Sequence, residues 1–123
     1  MFKSKTSAIG AIGEDLACGF LIQKGYKILK RNYWKPWGEL DIIAKDCEGV
    51  LVFVEVKSVR RLPANSDLQP EDNLTSAKLI KLRRVAALFA GSNEAMIDPA
   101  RGFRIDLVAV CFNPERFFHY ENI

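Results

Sequence analysis

The sequence predicts an α/β fold, a sandwich in which a central mixed β-sheet is flanked by helices. Two strongly β-prone segments follow one another through a short polar turn, which is the pattern of a hairpin. Segments with helical periodicity lie on either side of that hairpin, and a further apolar strand pattern follows the second of them. Helix, strand, hairpin, helix and strand therefore succeed one another, an order that favours a sheet covered by helices.

Two helices are predicted from apolar residues that recur at steps of three and four. The first spans residues 7–24 and ends before Gly25. Its apolar stripe consists of Ile9, Ile12, Leu16, Phe20 and Leu21. The second spans residues 74–90 and ends before Gly91. Its buried stripe is predicted to consist of Leu79, Leu82, Ala86 and Phe89.

The hairpin strands are predicted at residues 39–45 and 50–58, which are rich in Ile and Val, with a polar turn at residues 46–49. Strand alternation divides the second strand into an apolar face and a face that ends in two charges. The first face carries Val50, Val52, Val54 and Val56, and the second carries Leu51, Phe53, Glu55 and Lys57.

Weaker signals complete the predicted sheet and its connections. A short strand is expected at residues 26–32, a third strong strand at residues 103–112 and a short edge strand at residues 117–120. Residues 60–73 contain prolines and polar side chains without periodicity. We expect them to form a long loop that could be mobile or could close over a ligand.

The composition is that of a globular protein. A chain of 123 residues is near the commonest domain size, so one domain spanning residues 1–123 is expected. Hydrophobic residues make up 49% and charged residues 27% of the chain, which excludes the composition typical of disorder. The formal net charge of +3 permits a polyanionic partner without requiring one.

The sequence also indicates a cytoplasmic protein without a membrane partner. The amino-terminal segment is interrupted by Glu14 and Asp15, and no stretch approaches the ~20 apolar residues that cross a bilayer. The cysteines, Cys18, Cys47 and Cys111, are odd in number and lack the paired spacing of zinc ligands. We therefore expect reduced thiols in an intracellular protein.

Charged residues of the hairpin are the strongest candidates for chemistry. Antiparallel pairing is expected to bring Asp41 near Val54 or Glu55, within a residue or two of register. If both acids share a face, two carboxylates and the Lys57 ammonium converge on adjacent strands. Such a cluster is costly without compensation, because like charges repel and burial disfavours both. A divalent cation would supply that compensation.

Magnesium suits this set of groups. Mg²⁺ takes hard oxygen ligands, usually from one or two carboxylates, and completes its coordination with water and phosphate. Held by Asp41 and Glu55, it would polarise a phosphoryl group and acidify water, while Lys57 would orient that water or offset transition-state charge. The only histidine, His119, lies in a terminal aromatic run, which makes a histidine-based hydrolase hard to build.

An ordinary ion pair on a solvated strand face is the alternative explanation of the charges at Glu55 and Lys57, and it would suffice for an isolated pair. The combination of an acid on the neighbouring strand with a surrounding valine run favours a site instead. Unpaired charges in such a buried environment would be costly.

The run formed by Asp41 and Glu55-Val56-Lys57 resembles the PD-(D/E)-x-K signature of the restriction-endonuclease-like superfamily. The fuller pattern is similar to the YraN-like family of bacterial proteins, which is distantly similar to archaeal Holliday junction resolvases. It runs through Gly13-Glu14, Gly25-Tyr26, Arg31-Asn32, Gly38-Glu39-Leu40-Asp41, Phe53-Val54-Glu55-Val56-Lys57, Lys78 and Arg104-Ile105-Asp106. The resemblance implies a restriction-endonuclease-like sandwich and metal ligation by Asp41 and Glu55. It also implies that Lys57 is the catalytic lysine and that Glu14 is a helix-borne acid completing the metal site.

Phosphate contacts are predicted for four basic side chains, Arg60, Lys78, Lys81 and Arg84. A solvated basic helix face that keeps a small protein soluble would explain the helix members of this set equally well.

Three further residues near the hairpin each have two explanations. Trp34 and Trp37 flank a turn, where they could stack on unpaired bases, although aromatic residues in such turns more often cover the edge of a core. By alternation Glu39 shares a face with Asp41 and could assist the metal, but solvent exposure is the expected outcome at the start of a strand.

The leading functional hypothesis is a nuclease that hydrolyses phosphodiester bonds in DNA, including branched or structured DNA, with Mg²⁺ or Mn²⁺. The alternative is a catalytically silent nucleic-acid-binding module with the same fold. The presence of all the site residues, Glu14, Asp41, Glu55 and Lys57, favours the enzyme. A protein-interaction subunit would be favoured if Asp41 and Glu55 faced opposite sides of the sheet. Resolvase-like relatives pair two sites to act on two strands, so a homodimer is expected by analogy only.

Overall fold

In the described part of the chain, a five-stranded sheet lies between two helices. The structure is a computed structural model and describes residues 8–59 and 74–123, so the loop predicted at residues 60–73 lies outside the described residues. The helices are α1 (Ala8–Gln23) and α2 (Ser76–Ser92), and a one-turn 3₁₀ helix spans Glu94–Met96. The strands are β1 (Lys27–Lys35), β2 (Gly38–Lys45), β3 (Leu51–Val59), β4 (Phe103–Phe112) and β5 (Glu115–Tyr120).

The sheet is mixed. Its strands lie in the order β1-β2-β3-β4-β5, and neighbouring strands are antiparallel except for β3 and β4. Parallel strands need a crossover connection, and the segment that contains α2 provides it between β3 and β4. This central parallel pair runs in register from Leu51 beside Phe103 to Val59 beside Cys111.

Each face of the sheet packs against one of the two described helices. Alternate residues of β3 belong to different apolar clusters, because successive side chains of a strand point to opposite faces. Val52 and Val54 join the cluster that contains Leu21 of α1. Phe53 joins the cluster that contains Val85 of α2. The predicted division of the second hairpin strand into two faces therefore positions both helices.

The predicted α/β sandwich, with its mixed sheet flanked by helices, is confirmed. The hairpin strands and the strand at Phe103–Phe112 occur within a residue or so of the predicted ranges. Strand β1 is longer than predicted because Tyr33 and Trp34 pair with Leu40 and Glu39 of β2. Such pairing depends on the neighbouring strand, which local propensity does not report.

The predicted apolar stripe of α1 is wrong at Ile12, whose side chain is 51% exposed. The buried residues of α1 are Gly13, Glu14, Ala17, Cys18 and Leu21. Ile12 lies about 140° around the helix axis from Ala17, at about 100° per residue, and so it points away from the sheet. Small residues and Leu21 make up the buried face, and Leu16 and Phe20 pack against it partly buried.

No helix in the described ranges combines the length and the apolar character needed to cross a bilayer.

A buried polar network ties β5 and the hairpin turn to the start of β4. Fully buried Asp106 accepts hydrogen bonds from Nε of Arg104 at 3.0 Å, from Nε2 of His119 at 2.8 Å and from the backbone N–H of Asn122 at 3.0 Å. Arg104 also donates to Asp46 in the hairpin turn at 2.7 Å. Burial raises the pKa of Asp106, but the bonds from His119 and Arg104 outweigh it and hold that pKa below its ordinary value.

Candidate functional site

A cleft of about 310 Å³ lies where the β1–β2 turn, the hairpin strands and α2 meet. The hairpin strands contribute acids, α2 contributes lysines and β1 contributes a tryptophan. The side chains that determine its chemistry are Trp34, Glu39, Asp41, Glu55, Lys78 and Lys81. Groups of opposite charge therefore line one opening.

Strand pairing brings the two hairpin acids together. Ile42 of β2 pairs with Val54 of β3, so Asp41 comes opposite Glu55 at the next position. Opposed residues of an antiparallel pair point to the same face. The N–H of Val56 donates to Oδ2 of Asp41 at 2.9 Å, which fixes one oxygen of this carboxylate against the β3 backbone. The two acids that the hairpin register places near each other thus meet in the cleft.

The ionisation of Glu55 reflects this crowding. Burial and the adjacent Asp41, which shares a side-chain hydrogen bond with it, raise the pKa of Glu55 to about 8. The charge of Lys78 opposes that rise and the charge of Glu39 adds to it. In the metal-free protein, Glu55 therefore keeps a proton at neutral pH.

The carboxyl pair fits a divalent cation. Asp41 and Glu55 present hard oxygen donors within hydrogen-bond distance of each other, and Mg²⁺ usually takes one or two carboxylates from a protein. A cation between them would replace the shared proton and remove the repulsion. Within residues 8–59 and 74–123, no three His, Cys, Asp or Glu side chains cluster closely enough to hold one ion.

Comparison with known sequences identifies the family. The sequence profile described as "Uncharacterised protein family UPF0102" matches residues 13–110, a range that contains every acid and lysine named above. The chain belongs to UPF0102. The resemblance found in the sequence is therefore confirmed at the level of the family.

Relatives in UPF0102 are similar over most of their length. A UPF0102 protein of Beutenbergia cavernae is 44% identical over 84% of this chain and 81% of its own. One from Thermotoga maritima is 40% identical over 89% of this chain and 91% of its own. One from Corynebacterium efficiens is 34% identical over 91% of this chain and 84% of its own.

In this UPF0102 chain, Glu14 lies away from the cleft. Its side chain is 6% exposed on α1, which packs against the sheet face opposite α2. Its charge interacts with that of Arg31, whose guanidinium pairs with Asp15 at 2.7 Å. The lining of the cleft includes Asp41 and Glu55 but not Glu14. The helix pattern alone did not indicate which sheet face α1 would cover.

Lys57 is exposed on β3, two residues beyond Glu55, and lies outside the lining of the cleft. Lys78 of α2 lines the cleft instead, and its charge acts on Glu55. The two-residue spacing of Glu55 and Lys57 puts both side chains on one face of β3, but residues on one strand face need not line the same cleft.

The predicted phosphate-binding residues divide into three groups. Lys78 and Lys81 line the cleft opposite the acids. Arg84 is exposed on α2 but lies outside the cleft lining. Arg60 falls outside the described residues. Both lysines therefore lie at the cleft that the acids line and are also solvent-exposed, as a solvated helix face would be.

Sequence reasoning undervalued Glu39. It was expected to be solvent-exposed, but it is half-buried, lines the cleft and contributes to the raised pKa of Glu55. Strand alternation, which puts Glu39 on the face of Asp41, was the signal that could have identified it.

Proposed function

We propose that this chain is a metal-dependent nuclease that hydrolyses phosphodiester bonds in DNA at the cleft. The observation that carries the proposal is the pair of carboxyl groups, Asp41 and Glu55, meeting opposite Lys78 and Lys81. Two acids held together favour a cation, and two adjacent lysines suit a phosphate. Their combination in one cleft suits metal-assisted hydrolysis of a phosphodiester.

Asp41 and Glu55 would hold Mg²⁺ or Mn²⁺. When bound, such a cation neutralises charge on the phosphoryl oxygens and lowers the pKa of water. The Val56 N–H keeps the Asp41 carboxylate in a fixed orientation at 2.9 Å, so one ligand is prepared before the cation arrives. Glu55 must lose its proton to act as the second ligand, which links metal binding to pH.

The lysines of α2 would hold the substrate. Lys78 and Lys81 extend from one helix into the cleft, where their ammonium groups can bind consecutive phosphate oxygens and offset negative charge in the transition state. Lys57 is proposed as the lysine that orients the attacking water, as the family resemblance implies. The family resemblance also implies that Glu14 completes the acidic set, although Glu14 lies outside the described lining of the cleft.

The direct test is cleavage of a panel of labelled DNA substrates, comprising single strands, blunt duplexes, flaps and four-way junctions. Each is incubated with Mg²⁺, with Mn²⁺ or with a chelator. We expect cleavage of at least one substrate that depends on the cation. If wild-type protein cuts nothing with either metal, a catalytically silent nucleic-acid-binding module becomes the better explanation.

Removal of one acid should weaken metal binding without destabilising the fold. Asp41→Asn takes away a charged ligand and one repulsive partner of Glu55, so it should abolish cleavage and weaken Mn²⁺ binding in calorimetry. Its stability should equal or slightly exceed that of wild type. Glu48→Gln removes the same charge from an exposed turn position and serves as the matched control. Mn²⁺ binding by Asp41→Asn as tight as that of wild type would contradict the site.

Two variants then identify which lysine acts in catalysis. Loss of a group that stabilises transition-state charge typically lowers kcat by about 10²- to 10³-fold. Lys57→Ala and Lys78→Ala should both spare Mn²⁺ binding, because an ammonium cannot ligate the ion. If Lys57→Ala cleaves like wild type while Lys78→Ala does not, the role assigned to Lys57 belongs to the α2 lysine.

A further inference from the structure

Two tryptophans lie at the turn that borders the cleft. Trp34 lines the cleft and pairs with Glu39 across β1 and β2. Trp37 follows three residues later and is 48% exposed. Glu39 and Asp41 are two residues apart in β2, which is about 7 Å along the strand. Trp34, opposite Glu39, is therefore one two-residue strand repeat away from the level of Asp41, at the same cleft.

The apolar core does not account for these tryptophans. In the described parts of the chain, the clusters on the two sheet faces include Phe53 and the neighbouring Tyr33, but neither Trp34 nor Trp37. The stacked and edge-on ring pairs formed by the described residues include neither tryptophan. Covering the edge of a core, the usual reason for an aromatic residue in a turn, is therefore not their role.

Close packing fixes the turn against α2. A Cβ atom at Gly38 would collide with Cγ2 of Val85, and Cε of Lys81 would lie 3.8 Å from the same point. Only glycine allows the backbone to approach the helix this closely, and its φ of 151° also disfavours other residues. The turn that carries the tryptophans therefore has a set position relative to the α2 lysines.

We propose that Trp34 and Trp37 form a stacking platform for an unpaired base, so that the cleft takes DNA with unpaired nucleotides next to the cleaved phosphate. This inference rests on the proposed function, since the platform serves the same cleft. Lys78 and Lys81 hold the phosphates of the strand while the indole rings hold its base. Single strands, flaps and junction arms with unpaired nucleotides are then the substrate class, and fully paired duplex is not.

Stacking explains why the base must be unpaired. In a duplex both faces of each base are covered by its neighbours, so an indole ring can cover a base only after that base leaves the stack. An unpaired base offers its face without that cost. Stacking on an aromatic side chain is worth enough that its removal weakens binding by about 5- to 150-fold per base.

Binding without catalysis tests the inference. Full-length protein in a chelator is titrated with a labelled oligothymidine single strand and with a blunt duplex of the same length, and fluorescence anisotropy reports affinity. We expect tighter binding to the single strand, with quenching of tryptophan fluorescence. Trp34→Ala or Trp37→Ala should weaken single-strand binding by about 5- to 150-fold and leave duplex binding unchanged. Trp34→Phe should recover part of the loss, because a smaller ring still stacks.

Phe118→Ala is the matched control, since Phe118 is a half-buried aromatic residue on β5 at the opposite edge of the sheet. It should not change either affinity. Equal binding of both DNA forms by wild type, or equal weakening of both by the tryptophan variants, overturns the platform. Tryptophan-dependent single-strand binding without any metal-dependent cleavage supports the platform and overturns the nuclease. Cleavage of blunt duplex as fast as flapped DNA leaves the nuclease standing and overturns the platform.

Discussion

The proton on Glu55 connects the geometry of the cleft to pH. Burial and Asp41 raise its pKa to about 8 in the folded protein, whereas the ordinary value is 4.5. The folded state therefore binds this proton more tightly than the unfolded state does. The resulting contribution to the free energy of unfolding is fully present below pH 4.5 and is lost as the pH rises towards 8.

Glu55→Gln should remove this pH dependence, because glutamine cannot ionise. In a chelator, the free energy of unfolding of wild type should fall relative to that of Glu55→Gln as the pH rises through that window. Urea unfolding at several pH values measures the difference, with Glu48→Gln as the exposed control. Mg²⁺ competes with the proton, so adding it should reduce the pH dependence of wild type. A wild-type profile parallel to that of Glu55→Gln would contradict the crowded carboxyl pair.

The hairpin made Asp41 and Glu55 predictable as neighbours, because one polar turn and strict alternation fix both register and face. The same local rules could not decide the position of Glu14, since a helix pattern does not reveal which sheet face the helix covers. They also could not show that Lys57 lies outside the cleft while Lys78 lies inside it. That difference depends on how α2 packs after a long connection.

The absence of a side chain at a glycine of α1 allows that helix to pack closely against the sheet. Gly13 faces β3 so closely that an added Cβ would lie 3.1 Å from Cβ of Ser58, and rotation of the serine hydroxyl cannot relieve that contact. Gly19 of the same helix has no such neighbour within 4 Å. Gly13 is therefore needed for the close approach of α1 to β3, whereas Gly19 could be replaced by a larger residue without a clash.

Alanine at these two positions should change stability in opposite directions. Gly19→Ala should stabilise the protein by about 0.5–1 kcal/mol, because alanine loses less backbone entropy in a helix. Gly13→Ala gains the same term but overpacks the α1–β3 contact, which costs about 1–3 kcal/mol. Urea unfolding of both variants measures the difference. If Gly13→Ala were as stable as Gly19→Ala, α1 would not lie as close to β3 as described.

Long, strongly patterned elements were predictable, and their contacts were less so. Strands β2, β3 and β4 followed from β-branched runs bounded by turn residues. The length of β1 did not, because its last residues are held by pairing with β2. The exposed Ile12 shows the same limit for helices, since hydrophobic periodicity alone placed it on the stripe while close packing selected the small residues around Ala17.

Charged side chains occur in two separate arrangements in the molecule, a structural network at the start of β4 and the cleft. At the start of β4, Arg104 and the acids Asp46 and Asp106 satisfy one another in a network that holds the sheet together. In the cleft, the carboxyl pair shares one proton and the lysines of α2 lie opposite it. The second arrangement is the one that we propose for a cation and a phosphate.

Net charge limits how tightly such a site can bind DNA. The chain carries 18 Lys and Arg residues against 15 Asp and Glu residues, a net charge of +3. With about 3 to 5 phosphate contacts, affinity should fall by about one to three powers of ten between ~50 and ~200 mM salt. Lys78→Ala should lower the slope of log affinity against log salt by about one, because it removes one contact. Lys27→Ala, exposed at the far end of β1 from Trp34, should leave that slope unchanged. Binding that ignored salt over this range would indicate a protein partner in place of DNA.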